Sequence, residues 1–263
     1  MELILNINKP FGITSYDVIR NLKRIYPKTK IGHAGTLDPL ATGVLICLVG
    51  KDATKRQSEF MNVSKEYEFD ILFGFETDTY DVLGFPKIVD RTMLEGLKLD
   101  DIKKDIESNL EGFKGEIEQR VPPFSAVKIQ GKPLYRWYLE GKIDEVEVPV
   151  KTIKIDDINI KGYRTLNSVA LKDEITVMLE GVRKGFRKEE ISETWSKILG
   201  SEDLNKQSFL IATIRAKVSK GTYVRAIAHE LGKRIGIGGT IIRLVRTRVG
   251  DYDIENAKKL TEL

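Results

Sequence analysis

Gly32-His33-Ala34-Gly35-Thr36-Leu37-Asp38-Pro39-Leu40-Ala41-Thr42-Gly43 runs without a break into Val44-Leu45-Ile46-Cys47-Leu48-Val49. The second half is a continuous apolar run that reads as a strand. The first half packs three glycines, a proline and two threonines around one carboxylate. Such a loop is entropically unfavourable, because each glycine surrenders more backbone freedom on folding than a bulkier residue. At a strand entrance it suits backbone brought close to a ligand and one side chain held still. Asp38 is the only ionised side chain in the loop. The simpler reading is a decorated turn, since Leu-Asp-Pro is common turn chemistry.

Outward from this loop, the chain is rich in β runs. Leu3–Ile7 reads as a strand ended by the turn cluster Asn8-Lys9-Pro10-Phe11-Gly12. Ser15 is expected to cap a helix with Val18/Ile19, Leu22 and Ile25/Tyr26 at helical spacing, stopped by Pro27. Tyr67, Phe69, Ile71 and Phe73 alternate with acids as a half-buried strand, and Leu99–Leu110 has the pattern of an amphipathic helix. Val146, Val148, Val150, Ile153, Ile155, Ile158 and Ile160 read as strands, as do Leu210, Ala212, Ile214, Ala216 and Val218. That last strand meets Ser219-Lys220-Gly221-Thr222-Tyr223-Val224-Arg225, then a helix with Ile227/Ala228, Leu231 and Ile235 on one face. Tyr223 and Arg225 are thereby expected at a helix N-terminus, where backbone amides favour anions. The expected class is α+β, with a mixed or antiparallel central sheet and flanking helices. Regular β-helix-β alternation is missing, which argues against a doubly wound sheet.

Composition narrows the function classes. The 263 residues suffice for one large core, and they are read as a single domain, 1–263. One cysteine rules out an internal disulfide, and Cys47 fits its apolar run as a small hydrophobe. The start Met1-Glu2-Leu3-Ile4-Leu5 lacks the basic opening of a signal peptide, and no stretch reaches membrane-spanning length. A cytoplasmic location is expected. Net charge is +4, with 43 basic residues against 39 acidic, which permits an anionic partner. Between Arg234 and Arg248 lie Arg243 and Arg246 and no acid. With two histidines and no ligand cluster, no metal or organic cofactor is expected.

GHAGTLDPLATG resembles, nearly letter for letter, the catalytic loop of the TruB family of tRNA pseudouridine-55 synthases. Asn8-Lys9-Pro10-x-Gly12-x-Thr14-Ser15 is similar to that family's opening motif. Ser-Lys-Gly-Thr-Tyr-Val-Arg at 219–225 and the run Arg243 to Tyr252 are similar to two more. Gln119-x-x-Pro122-Pro123-x-Ser125-Ala126-x-Lys128 opens a segment, 119–141, resembling the family's thumb, a thumb-like insertion that folds over bound tRNA. Its aromatics and basics, among them Tyr135, Arg136, Trp137 and Tyr138, suit stacking on bases and contact with phosphate. The alternative for that segment is an ordinary core helix at Leu134–Leu139.

The resemblance implies the pseudouridine synthase fold, isomerisation of uridine 55 in the T loop of tRNA, base flipping, and no cofactor. It implies Asp38 as the catalytic aspartate, which can attack C1′, stabilise charge there, or take the C2′ proton. It implies Tyr67 as the tyrosine stacked on the target base and Arg225 as the arginine paired with Asp38. A bidentate pair would orient the carboxylate and keep it ionised. RNA contacts are implied for His33, Tyr223, Leu244, Lys9, Lys128 and Arg246. His229, one turn past Arg225, reads as solvated. The implied partner is tRNA through its T arm, with no membrane and no protein partner required, the enzyme acting as a monomer.

Two departures stand out. Family members continue into a small C-terminal PUA domain, whereas this chain stops at Leu263, so no PUA domain is expected. An expansion covers 162–207, with strand-like Ile175-Thr176-Val177-Met178-Leu179 and a helix carrying Ile191, Trp195 and Ile198/Leu199. It is read as a structural elaboration, the alternative being RNA binding through Arg183, Lys184, Arg187 and Lys188.

Overall fold

The computed structural model describes residues 2–89, 98–183, 185, 187–204 and 207–263; Lys184 lies outside them. The chain opens with β1 (Leu3–Lys9), α1 (Ser15–Ile25), β2 (Ile31–Ala34) and β3 (Thr42–Val49). Two short helices, α2 (Lys51–Lys55) and α3 (Gln57–Met61), lead to β4 (Lys65–Phe73), β5 (Phe75–Thr77) and β6 (Pro86–Ile88). Then come α4 (Leu99–Leu110), β7 (Gly115–Arg120), the small hairpin β8 (Lys128–Ile129) and β9 (Lys132–Pro133), and α5 (Leu134–Leu139). The long β10 (Val150–Asn167) is followed by α6 (Ser168–Gly181), α7 (Lys188–Leu199) and β11 (Ser208–Val218). The chain ends with α8 (Val224–Ile235), β12 (Gly239–Val249), β13 (Tyr252–Asp253) and β14 (Lys258–Lys259).

Among the described residues one sheet dominates, in the order β14-β1-β3-β12-β4-β11-β10-β7, with β2 added to β3 and β13 to β12. The neighbours β14–β1 and β3–β12 run parallel and the other pairs antiparallel, so the class is α+β with a mixed sheet. β3 is buried on both faces, which is why its sequence is a continuous apolar run. Leu45 and Cys47 enter the main core, while Val44, Ile46 and Leu48 enter a smaller cluster with Ala53 and Phe60. Burial pushes the Cys47 thiol up to about 12, in keeping with an inert core residue. At the parallel β3–β12 join, Gly43 (φ +98°) faces Arg246, and a Cβ there would fall 2.2 Å from the Arg246 carbonyl oxygen. Only glycine fits that crossing.

Several local expectations are corrected. The N-cap of α1 is Thr14, not Ser15: the Thr14 hydroxyl accepts the Asp17 N–H and the Asp17 carboxylate accepts the Thr14 N–H. Ser15 is the first helical residue and its hydroxyl is used elsewhere. Val146 and Val148 lie before β10, which begins at Val150. The stretch Ile175–Leu179 is helical, within α6. Its β-branched residues suggested a strand, but Leu171, Ile175 and Leu179 are buried four residues apart and tertiary packing decides. β10 runs through Gly162 to Asn167, so the described part of the expansion is a helical hairpin, α6 and α7, inserted between two paired strands. Ile191, Trp195 and Leu199 bury one face of α7, as their spacing predicts. Among the described residues no helix is long and apolar enough to cross a membrane.

Candidate active site

Asp38 sits in the loop between β2 and β3, and the first residues of α1 hold that loop in place. Ser15 Oγ accepts the Leu37 N–H and donates to the Leu37 carbonyl. The Asp38 carbonyl accepts the Ala41 N–H at 3.1 Å, and the Pro39 carbonyl accepts the Gly12 N–H at 2.9 Å. The loop therefore closes on itself and on the turn before α1, leaving the Asp38 side chain 35% exposed.

Facing it, Arg225 occupies the second position of α8, with Tyr223 as the N-cap. Arg225 Nε donates to Asp38 Oδ2 at 2.8 Å. The pair is monodentate, contrary to the bidentate expectation, because the other guanidinium nitrogens are committed to backbone. Nη1 donates to the Thr79 carbonyl and Nη2 to the Phe124 carbonyl at 2.9 Å. A second carboxylate, Asp81, lies 3.6 Å from Arg225 Nε. Arg225 and Asp81 are both buried, and burial pushes the Asp81 carboxyl up to about 6, against the pull of the Arg225 charge. Arg225 thus spans the 38 loop, the 79–81 loop and the 124 loop.

This pair lines a cavity of about 760 Å³ together with Leu37, Tyr67, Tyr223 and Leu244. Tyr67 projects from β4, and Leu244 from β12 where it pairs with Phe69. Asp38 is the sole carboxylate among the described lining residues, against the cations Lys65, Lys151, Lys220, Arg225 and Arg246. An anionic ligand is favoured there. Lys65 is itself tied to the carbonyls of Met61 and Val63 at 2.7 and 2.6 Å. No group of three His, Cys, Asp or Glu side chains among the described residues is placed to hold a metal ion.

The sequence-predicted residues divide into two sets. Asp38, Tyr67, Arg225, Tyr223 and Leu244 converge on the cavity. Lys9, His33 and Lys128 do not line it. Lys9 is fully buried, its ammonium donating to the Pro10 and Ile13 carbonyls at 2.9 and 2.7 Å, so as an RNA contact it is corrected to an internal strut. Arg246 lines the cavity but is 1% exposed, with Nε on the Val44 carbonyl and Nη2 on the Gly35 carbonyl. It staples the glycine loop to β3 and has no face open to a phosphate. Burial and then the Arg246 charge hold the His33 imidazole below its ordinary range. Lys128 is exposed on the β8–β9 hairpin. Arg243 is committed to Asp70 and Glu68, at 3.0 and 2.7 Å. His229 is half-buried, stacked on Tyr80 with ring centroids 3.9 Å apart.

Asp81 and Gln119 are the residues sequence reasoning missed. Asp81 closes Thr77-Asp78-Thr79-Tyr80-Asp81, a polar run directly after an apolar strand, and that juxtaposition was visible. Gln119 stood inside a quoted motif without an assigned part.

Residues 23–179 match the model of the TruB family pseudouridylate synthases, N-terminal domain. The tRNA pseudouridine synthase B of Fusobacterium nucleatum is 37% identical over 255 residues, covering 97% of this chain and 70% of that protein. The chain belongs to the TruB family of pseudouridylate synthases. The Aquifex aeolicus tRNA pseudouridine synthase B, 35% identical over 262 residues, covers 100% of this TruB-family chain and 73% of its own length. The family model takes in the Asp38 and Tyr67 segments and stops before Arg225, whereas the alignments to these relatives run over nearly all of the chain. Among solved structures, the chain matches one in a Cbf5-Nop10-Gar1 complex with a TM-score of 0.58 at 23% identity, covering 99% of this chain and 53% of that one. The structure of an H/ACA RNP bound to a substrate RNA gives 0.55 at 21% identity, covering 99% and 51%. The chain spans about half the length of those two chains, and the likeness establishes the fold they share.

Proposed function

We propose that this protein isomerises uridine 55 in the T loop of tRNA to pseudouridine, with Asp38, Tyr67 and Arg225 as its catalytic residues. The observation that carries the reading is the Asp38–Arg225 pair at 2.8 Å, set in the family loop at the wall of a cationic cavity. In the reaction the N1–C1′ bond breaks, the uracil turns, and C5 bonds to C1′. The C5 proton leaves and N1 ends protonated, so the product is an isomer and no oxidant or reductant enters. Ground-state uridine is neutral at C1′, whereas bond cleavage makes that carbon electron-poor. A carboxylate beside it acts where charge develops, as nucleophile, as electrostatic partner, or as base toward the C2′ proton. Arg225 holds Asp38 in place, and Tyr67 and Leu244 offer flat and apolar surfaces to a flipped base.

The protein is proposed to act on tRNA in the cytoplasm as a monomer, as one catalytic domain over 1–263 with 119–141 as its thumb. Lys151 and Lys220 at the cavity and Lys128 on the hairpin are the cations placed to meet phosphate. The deciding experiment incubates the protein with an unmodified tRNA transcript and maps pseudouridine by position. Conversion at position 55 is expected. A transcript left unconverted, or converted only elsewhere, overturns the reading.

A further inference from the structure

Gln119 lies near the end of β7, where the 119–141 segment begins, and its buried side-chain amide lies against the backbone of Tyr223. Gln119 Oε1 accepts the Tyr223 N–H at 2.7 Å, and Gln119 Nε2 donates to the Tyr223 carbonyl at 3.1 Å. One side chain thereby satisfies both polar groups of a single backbone residue. That residue is the N-cap of α8, where the helix cannot supply N–H partners of its own and no side-chain cap bond is made. With both groups gripped, Tyr223 cannot change its backbone angles without breaking a partly buried hydrogen bond. Arg225 follows two residues later.

The same segment grips the other end of that arm. Five residues beyond Gln119, the Phe124 carbonyl accepts Arg225 Nη2 at 2.9 Å. Residues 119–124 therefore hold Arg225 at its root, through Tyr223, and at its guanidinium head. The remaining Nε–H is the one aimed at Asp38.

We propose that Gln119 is a positioning residue for the isomerisation: it fixes the start of α8 so that Arg225 meets Asp38, and it links the seating of the 119–141 segment to the catalytic carboxylate. This rests on the function proposed above. Gln119 is buried and does not line the Asp38 cavity, so the influence proposed for it runs through Tyr223 and Arg225.

Gln119→Met keeps the length of the side chain and drops both hydrogen bonds. Single-turnover conversion of a saturating tRNA transcript is expected to slow about 30-fold, with the Kd for that transcript within about threefold of wild type, as suits lost orientation. Gln119→Glu keeps the acceptor for the Tyr223 N–H but sets a second oxygen against the Tyr223 carbonyl, which it can meet only as a protonated acid. Its rate is therefore expected to lie between those of Gln119→Met and wild type, about tenfold below the latter. The decisive comparison is a double-mutant cycle with Arg225→Lys. If Gln119 acts through Arg225, adding Gln119→Met to Arg225→Lys costs less than about threefold more. Should Gln119→Met prove unfolded by circular dichroism, the same cycle is read with Gln119→Glu, whose loss is expected to vanish in the Arg225→Lys background.

Single-turnover rates of the tested variant within twofold of wild type, or losses that multiply fully with Arg225→Lys, overturn the assignment of Gln119 and leave the proposed function standing. So does a Kd that rises in proportion to the loss of rate, which would make Gln119 an RNA-binding residue. Wild-type protein that leaves the transcript unconverted overturns the proposed function itself.

Discussion

Ser15 Oγ accepts the Leu37 N–H at 2.8 Å and donates to the Leu37 carbonyl at 3.1 Å, so the start of α1 grips the residue immediately before Asp38. Gln119 does the same to Tyr223, two residues before Arg225. Each half of the Asp38–Arg225 pair is thus anchored by a side chain that satisfies both backbone groups of a near neighbour. Ser15→Ala leaves the Leu37 N–H and carbonyl unpaired in a buried site, and is expected to cost about 1–3 kcal/mol of stability. Urea denaturation checks this. An unchanged midpoint at unchanged slope would mean that water or a backbone shift replaces the hydroxyl.

Asp38→Asn is expected to abolish pseudouridine formation while leaving tRNA affinity within a few fold. Asn keeps the size of the side chain and accepts the Arg225 Nε–H through its carbonyl oxygen, but it can be neither nucleophile nor base. Turnover above about a hundredth of wild type, equivalent to a barrier increase of about 2.7 kcal/mol or less, would remove Asp38 from the chemistry.

Arg225→Lys and Asp81→Asn test the buried charge cluster. An ammonium has no fixed fork, so it cannot serve Asp38 and the carbonyls of Thr79 and Phe124 together. Arg225→Lys is therefore expected to lower kcat by about a hundredfold, in line with misplacement of a reacting group. Asp81→Asn removes the charge behind the guanidinium and leaves its three hydrogen bonds, so a smaller loss of about tenfold is expected. Steady-state kinetics with a T-loop substrate measures both. An Asp81→Asn loss larger than that of Arg225→Lys would mean that Asp81 acts on the substrate directly.

Lys9 makes the stability of the fold depend on pH in an unusual direction. Burial pulls its ammonium down from 10.5 to about 7, despite the opposing pull of Asp38. Above pH 7 the folded protein has released this proton while the unfolded chain holds it until about 10.5. The unfolded state then binds more protons, so stability rises with pH, by about 1.4 kcal/mol per unit for this one group. Between pH 7 and 8.5 the wild-type unfolding free energy is expected to increase, and Lys9→Met to flatten that rise. Equal slopes for the two proteins would show that Lys9 stays charged in the fold.

The glycine loop, β3, α4, α7 and the strand-turn-helix carrying Arg225 were legible because period and turn chemistry agree with the packing. Asp38, Tyr67, Arg225, Tyr223 and Leu244, singled out by their motifs, line one cavity. Less was legible where a local signal competes with tertiary structure. Ile175-Thr176-Val177 carries strand propensity, yet Leu171, Ile175 and Leu179 need a helical face to reach the core. The basic run from Arg234 to Arg248 holds no acid in sequence, but cross-strand pairing brings Glu68 and Asp70 of β4 against Arg243. Lys9 and Arg246, implied as RNA contacts by the resemblance, are buried. Lys9 turns back onto the Pro10 and Ile13 carbonyls of the turn that follows it, and Arg246 reaches the distant carbonyls of Gly35 and Val44, pairings with backbone that composition cannot reveal.

The α6–α7 hairpin bears on which part of the tRNA is recognised. Among its described cations, Arg183 pairs with Asp17 of α1, and Arg187 pairs with Asp78 at 2.7 Å while its guanidinium lies 4.7 Å from the rings of Phe85 and Phe124. Lys188 donates to the Glu180 carbonyl at 3.0 Å, and Trp195 Nε1 donates to the Val82 carbonyl at 3.0 Å, one residue from Asp81. The hairpin is a brace behind the loop that carries Asp81, and this favours the structural reading of the expansion over RNA binding. The phosphate-placed cations are proposed to be those at the Asp38 cavity and on the β8–β9 hairpin, so an isolated T-arm stem-loop is expected to be converted with a kcat/KM within about threefold of whole tRNA. Each phosphate contact made only with whole tRNA would steepen the salt dependence of its binding by about one log unit. Deleting the hairpin would expose the core, so the test neutralises charge instead, with Arg183→Gln and Lys188→Gln combined and both RNAs compared. A whole-tRNA preference of about tenfold that disappears in this double variant, with its salt slope shallower by about two, would make the hairpin an RNA-binding element. Equal kcat/KM on both RNAs for wild type and variant, with a Trp195→Phe protein that loses thermal stability, fits the brace.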